Sequence, residues 1–132
     1  MQKKFKLGKY QTVINYYQDV LQKQPSNGKA NYFVAESYRL SNRIKQAEHF
    51  YEKAGGTGID KDSVHLYYSQ ALRANGKYDG ARKQLEELRN NAAEEKMKDR
   101  ATLELDGLNY LEKLAEKKNY YKIKNLESVN TP

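Results

Sequence analysis

The chain contains no cysteine and no tryptophan, and it has only two prolines among its 132 residues. The absence of cysteine excludes disulfides and thiolate metal sites. No run of about 18 apolar residues occurs, so the sequence predicts no membrane-spanning helix. Hydrophobic residues make up 38% of the chain and charged residues 31%. This small apolar fraction argues against the core of a large globular enzyme and favours units that pack on their neighbours.

The net charge of +7 is dispersed along the chain. Two small basic clusters lie near the ends, and between them Lys and Arg alternate with Glu and Asp: Lys3, Lys4, Lys6 and Lys9, then Lys117, Lys118, Lys122 and Lys124. This distribution favours a solvated surface of mixed charge. The alternative is a basic helical repeat that binds nucleic acid, and specific binding that persists at physiological salt would favour it.

The same pattern recurs three times along the chain at a constant spacing. The number of residues from Gly8 to Asn42 equals the number from Asn42 to Gly76, and no gap is needed to align the three copies. Gly8-Lys9-Tyr10 matches Gly76-Lys77-Tyr78, and Asn42-Arg43-Ile44 stands at the midpoint between them. Apolar positions keep the same interval: Val13, Ala47 and Ala81; Tyr17, Tyr51 and Leu85; Val20, Ala54 and Leu88. After each turn these positions follow i, i+4 and i+7, which predicts one apolar stripe on each following helix.

The segment Gly8-Lys9-Tyr10-Gln11-Thr12-Val13-Ile14, with Tyr16-Tyr17, Val20-Leu21 and Pro25, resembles the second half of a tetratricopeptide repeat (TPR). The interval matches the period of about 34 residues typical of that family, whose unit is a helix A, a turn and a helix B. The resemblance covers residues 1–90 and implies an all-α, right-handed helical solenoid. Gly or Asn at each A–B turn fits, because a helix commonly ends on a residue with positive φ.

The interval divides residues 1–118 into a partial unit over 1–25, units over 26–59 and 60–93, and a capping helix over 97–118. We expect the chain to begin inside a longer protein, because too few residues precede Gly8 for a whole helix A. Ser26 or Asn27, and Asp62 or Ser63, are the expected helix N-caps. The capping helix should bury one face and could break at Asp106-Gly107; that face carries Ala101, Leu105, Leu108 and Ala115.

The last stretch alternates apolar and basic residues at Tyr121-Lys122-Ile123-Lys124. This alternation predicts a short extended tail, with residues 119–132 a linker into a following domain. Arg100-Ala101, Asn109-Tyr110-Leu111, Tyr120-Tyr121-Lys122-Ile123-Lys124-Asn125-Leu126 and Asn130 resemble the linker of Bacteroidetes outer-membrane proteins that join TPR units to a β-propeller and an OmpA-like domain. This resemblance implies a periplasmic scaffold associated with the outer membrane, as in the PorE-like proteins of type IX secretion.

No group of residues suggests catalysis. The two histidines, His49 and His65, lie on expected helices without ligand-like neighbours, so we expect no metal. Gly55-Gly56-Thr57-Gly58 lacks the spacing of a phosphate-binding loop and is better read as a turn that joins two units. The sequence therefore predicts no enzyme and no cofactor.

The resemblance implies a protein or peptide partner, because A helices line the concave groove of TPR arrays. The face of each helix A opposite its packing stripe supplies the predicted groove: Tyr32, Glu36 and Arg39, then Leu66, Gln70 and Arg73. Tyr and Arg are common anchors at protein interfaces. These residues differ from the Lys and Asn of TPRs that clamp chaperone tails, so that ligand is not expected.

Overall fold

The structure is a computed structural model that describes the backbone of residues 1–130 and the side chains of residues 1–123. Within residues 1–130 it is all-α and contains no strand, and each helix packs on the next along the chain. None of these helices is both long and apolar enough to cross a membrane. The helices are α1 (Gln2–Lys6), α2 (Tyr10–Lys23), α3 (Gly28–Leu40), α4 (Ile44–Lys53), α5 (Lys61–Ala74), α6 (Tyr78–Asn91) and α7 (Glu95–Asn130).

One turn geometry occurs three times and sets the spacing of the helices. Gly8, Asn42 and Gly76 have positive φ angles of 76°, 62° and 76°. After each of them, a backbone N–H donates to the carbonyl oxygen five residues earlier, which satisfies a free carbonyl at the helix end. The next helices, α2, α4 and α6, therefore begin at Tyr10, Ile44 and Tyr78, which are separated by the interval that the sequence predicts.

The predicted apolar stripes form the core. Val13, Ala47 and Ala81, at equivalent positions of α2, α4 and α6, are fully buried. Small residues at two of these positions let neighbouring helices approach closely. Two clusters of buried residues result: Ala35, Ala47, Tyr51, Val64 and Ala71 in one, and Leu66, Leu72, Ala81, Leu85, Leu88, Ala92, Ala101, Leu105 and Leu108 in the other.

Of the two helix N-caps predicted from the sequence, one is confirmed and the other is wrong. Asn27 caps α3, because its Oδ1 accepts from the N–H of Ala30 at 3.0 Å. The cap of α5 is Asp60 and not Asp62 or Ser63, so that expectation is wrong. Asp60 lies one residue outside the helix, where its carboxylate reaches the Asp62 N–H and the Ser63 hydroxyl.

The expectation of an extended tail is wrong as far as residue 130. Helix α7 runs without a break from Glu95 to Asn130. No Gly or Pro occurs between Leu108 and Asn130, and a lone strand would leave its backbone groups unpaired, so continuing the helix satisfies them. Gly107 does not split the helix, because Leu105 and Leu108 beside it are buried against α6. Residues 131 and 132 lie outside the described residues, and the linker role of 119–132 remains a prediction.

Helix α7 extends past the helices it packs on. Ala101, Leu105 and Leu108 are buried as expected, but Ala115 is exposed. At about 1.5 Å per residue, the 36 residues of α7 span about 54 Å, against about 21 Å for the 14 residues of α6. The second half of α7 therefore extends past the whole length of α6.

The start of α3 lies directly against the loop that follows α4. The N–H of Gly55 donates to the carbonyl oxygen of Gly28 at 3.3 Å, and a Cβ atom on Gly28 would overlap the carbonyl oxygen of Gly55. We predict that Gly28→Ala lowers the free energy of unfolding by about 1–3 kcal/mol, because two backbones must separate.

Gly107 provides the matched control, because a Cβ there meets no atom within 4 Å. Gly107→Ala should raise the free energy of unfolding by up to about 1 kcal/mol through helix propensity. Urea denaturation followed by circular dichroism measures both variants. Equal losses in the two would contradict the close approach at Gly28.

Candidate functional site

Three of the six predicted groove residues meet at one cleft. Arg39 on α3 and Gln70 and Arg73 on α5 line an open cleft of about 380 Å³ between the two helices. Asn42, Ile44 and Ala74 complete its walls. Three residues of the predicted groove thus line one cleft, and whether a partner binds there remains a prediction.

Glu36 is not a free groove residue, because it is the buried centre of a polar network. Its side chain is paired with Arg39, with 2.5 Å between Nη2 and Oε2 and 3.2 Å between Nε and Oε1. The hydroxyl of Tyr51 donates to Glu36 Oε1 at 2.6 Å and accepts from Arg39 Nε at 3.1 Å. A buried carboxylate requires such partners, since an unpaired buried charge is strongly destabilising. The network ties α3 to α4.

Arg39 also joins α3 to α5. Its guanidinium carbon lies 3.7 Å from the centre of the Tyr67 ring, within the range of a cation–π contact. Burial by itself would lower the pKa of Arg39, but its hydrogen bond to Glu36 and the charge of Glu36 raise it above the ordinary value. The guanidinium is thus held in one position and stays charged.

The second arginine of the cleft belongs to a cluster that reaches α7. Arg73 Nη1 donates to Glu104 Oε2 at 3.0 Å, and Gln70 Nε2 lies 3.4 Å from Glu104 Oε1. Arg100 donates to the same carboxylate, with Nε 3.2 Å from Oε1. Two guanidinium groups share one carboxylate, so this cluster carries a formal charge of +1.

Leu66 and Tyr32 do not fit the predicted groove as expected. Leu66 is 4% exposed and packs in the core with residues of α6 and α7. The prediction that it faces a partner is wrong, because α7 lies over that face of α5. Tyr32 is half-buried against the core cluster around Tyr51, and burial raises its pKa. Tyr32 and Glu36 therefore contribute more to folding than the sequence suggested.

Sequence reasoning missed the residues that hold the arginines in place: Tyr51, Tyr67 and Glu104. A signal for Tyr51 was present, because a tyrosine in a buried stripe needs a partner for its hydroxyl. Glu36 on the adjacent helix could have been proposed as that partner. Nothing in the periodicity indicated Glu104, which reaches Arg73 only through the packing of α7 beside α5.

A second cleft, larger at about 560 Å³, lies between α4, the glycine loop and α5. Its walls are mainly aromatic and apolar and include Tyr51, Ile59, Val64 and Tyr68. His65 lies in this cleft, with Nδ1 2.7 Å from Gln84 Oε1. The cleft is the larger of the two, but it lacks the paired arginines that give the smaller cleft a defined charge.

Among the residues whose side chains are described, no group of three or more His, Asp or Glu could hold a metal ion. His49 is exposed and its ring contacts Phe50, so the two histidines lie in separate environments. Compared with protein-family models and with curated proteins, the chain has no match.

Removing the buried hydroxyl should weaken the fold. We expect Tyr51→Phe to lower the free energy of unfolding by about 1–2 kcal/mol, because Glu36 and Arg39 each lose a hydrogen bond in a buried site. Tyr38→Phe is the matched control, since its hydroxyl accepts only one long, part-buried bond of 3.4 Å from Gln18. Chemical denaturation compares the two. A loss in Tyr38→Phe as large as in Tyr51→Phe would argue against the network.

Stability should fall at alkaline pH. Burial, followed by the charge of Glu36, raises the pKa of Tyr51 above its ordinary value of 10.0, and burial also raises the pKa of Tyr17, Tyr32 and Tyr68. The folded chain then binds the phenolic proton more tightly than the unfolded chain, so this stability is complete below about pH 10 and decreases above it.

Thermal unfolding between pH 8 and pH 11 gives the direct measurement of this dependence (about the range where phenols ionise). The midpoint of Tyr51→Phe should decrease less steeply above pH 10 than that of the parent chain. If the unfolding midpoints of the variant and the parent chain decreased equally with pH, Tyr51 would not contribute to the loss of stability at alkaline pH.

Proposed function

We propose that the chain is a protein-interaction module of the tetratricopeptide-repeat type, with α3 and α5 as A helices and α2, α4 and α6 as B helices. The turns at Gly8, Asn42 and Gly76 support this proposal, because they share one backbone geometry and place the B helices at one constant interval along the chain. That interval agrees with the period of about 34 residues typical of such repeats. In such arrays each unit contacts its neighbours and leaves an extended surface for a partner.

The proposed binding site is the cleft lined by Arg39, Gln70 and Arg73. The observation that carries this assignment is that two arginines converge on one open cleft while buried or shared carboxylates hold them in position. Preorganised side chains lose little conformational freedom on binding, which favours affinity. The cleft should therefore act as a fixed point of contact.

An acidic peptide segment fits this cleft best. Glu36 neutralises Arg39, but Arg73 and Arg100 share Glu104 and leave one positive charge at the rim. A guanidinium recognises a carboxylate through paired hydrogen bonds, and Gln70 offers an amide beside it. A partner carboxylate near Arg73 would complete this charge balance.

Binding fits the chemistry of the cleft better than catalysis. Its lining consists of arginines, amides and small apolar side chains, and none of these is a nucleophile or a general base near neutral pH. The histidine with a nearby partner, His65, lies in the other cleft. A scaffold that holds another protein needs no such group.

We further propose that the module works in the cell envelope, as part of an outer-membrane-associated periplasmic protein and of protein transport by type IX secretion. The support is the likeness of residues 100–130 to the linkers of such proteins. Fractionation of cells that produce the full-length protein containing this chain tests the compartment. Recovery in the cytosol alone would remove this part of the proposal and leave the interaction cleft unaffected.

Blocking the cleft tests the proposed site. Peptides selected from a random display library on the parent chain should be acidic. Ala74→Trp, which fills the cleft, should weaken their binding at least about tenfold, since interface centres carry most of the affinity. Fluorescence anisotropy with labelled peptides measures the dissociation constants.

Ala54→Trp is the matched control, because it places the same side chain in the larger cleft. It should bind the selected peptides as tightly as the parent chain, provided that circular dichroism shows equal helicity in both variants. Selection of no peptide, or equal binding by Ala74→Trp, would contradict the proposed site. Loss of binding only in Ala54→Trp would assign the interaction to the larger cleft.

A further inference from the structure

The outward face of α7 carries an apolar stripe whose large side chains are about half exposed or more. Leu103 and Tyr110 are 69% and 63% exposed, and Leu114 and Tyr121 are about half exposed. Together with Gly107 they are spaced by four, three, four and seven residues. This spacing places all five on one side of a helix, over about five turns.

This stripe lies opposite the face that packs on the rest of the protein. The buried residues Ala101, Leu105 and Leu108 project from the other side of the helix. At Gly107, which lies between Leu103 and Tyr110 in the stripe, a Cβ would meet no atom within 4 Å. A small residue between larger apolar ones lets a second helix approach closely, so the stripe has the form of a helix-packing surface.

The charges beside the stripe change sign along the helix. On one flank, Asp99 and Asp106 accompany the first half, and Lys113 and Lys117 accompany the second half. All four are exposed, and Asp99, Asp106 and Lys113 form no ion pair with the side chains that the structure describes. A helix of the same sequence running antiparallel would place the acidic half of one copy beside the basic half of the other.

We propose that this stripe is the interface of a homodimer in which the α7 helices of two copies pack antiparallel about Tyr110. In an antiparallel pair, the same flanks of the two helices face each other, so Asp106 lies opposite the partner subunit's Lys113 and Asp99 opposite the partner subunit's Lys117. A parallel pair would instead bring like charges together. The rest of each subunit lies on the outer side of the pair.

The opposite flank is compatible with this arrangement. Arg100 there would approach the partner subunit's Lys118, but Arg100 is held by Glu104, with Nη2 3.1 Å from Oε1. A helix surface for anionic lipid fits less well, because Asp99 and Asp106 flank the first half of the stripe and would be repelled. The second copy is therefore the occupant that the charges favour.

Sedimentation equilibrium of the parent chain over a range of concentrations tests the dimer. The parent should form dimers that weaken as salt rises, since the flanking pairs are exposed. Leu114→Lys should raise the dimer dissociation constant about a hundredfold or more, because each copy places a charge in the apolar stripe. Ala115→Lys adds the same side chain at an exposed position on the face of Ala101, Leu105 and Leu108, away from the stripe, and should leave the dissociation constant within about threefold of the parent.

Exchanging charges tests the antiparallel register. Asp106→Lys and Lys113→Asp should each weaken the dimer about tenfold, because each turns two opposite-charge pairs into like-charge pairs. The double variant carrying both changes should recover the parent affinity, and so should an equimolar mixture of the two single variants. Circular dichroism confirms that every variant keeps its helicity.

A parent chain that stays monomeric at high concentration would overturn the proposal. Another protein or a lipid surface would then be the expected binding partner of the stripe. A dimer insensitive to Leu114→Lys would place the interface elsewhere. Failure of the double variant to recover would overturn the antiparallel register. The cleft variant Ala74→Trp should dimerise as the parent does, so this proposal and the proposed peptide site can fail separately.

Discussion

The turn that precedes each of α2, α4 and α6 is the constraint on which the remaining structure depends. A residue with positive φ at Gly8, Asn42 and Gly76 reverses the chain within a few residues, and the next helix begins two residues later. Glycine and asparagine adopt this backbone conformation with little strain. Because the three turns are alike, the same positions of α2, α4 and α6 are buried, and small side chains there allow the helices to pack closely.

Polar networks add what the apolar stripes cannot supply. The chain is rich in charge and poor in apolar residues, so helix pairs are also joined by ion pairs and hydrogen bonds between polar side chains. The contacts of Glu36 with Arg39 and Tyr51 join α3 to α4, and Glu104 joins α5 to α7. These groups stabilise only when all partners are present, since a lone buried charge is costly. The same partners fix the arginines at the proposed binding cleft.

Two surfaces remain for interaction, and they differ in chemistry. The cleft between α3 and α5 is small, polar and preorganised, which suits one acidic segment of a partner. The outward stripe of α7 is long and apolar with flanking charges, which suits another helix. They lie on different elements, so one subunit could use both: a dimer through α7 would present two clefts, and two linked sites can raise the overall affinity for a repetitive partner.

Local backbone preference and helix periodicity were enough to predict the helix spacing, the turn residues and the buried stripes. Three of the residues lining the cleft were predicted from periodicity together with the resemblance to a tetratricopeptide repeat. Which side chains are exposed and available to a partner depended instead on how the helices pack. Leu66 is buried because α7 covers it, and Glu36 is buried because Tyr51 and Arg39 supply its partners. Tyr121 continues a helix, although its neighbours alternate like a strand. Such outcomes depend on contacts between residues far apart in the chain, and a local pattern contains no information about them.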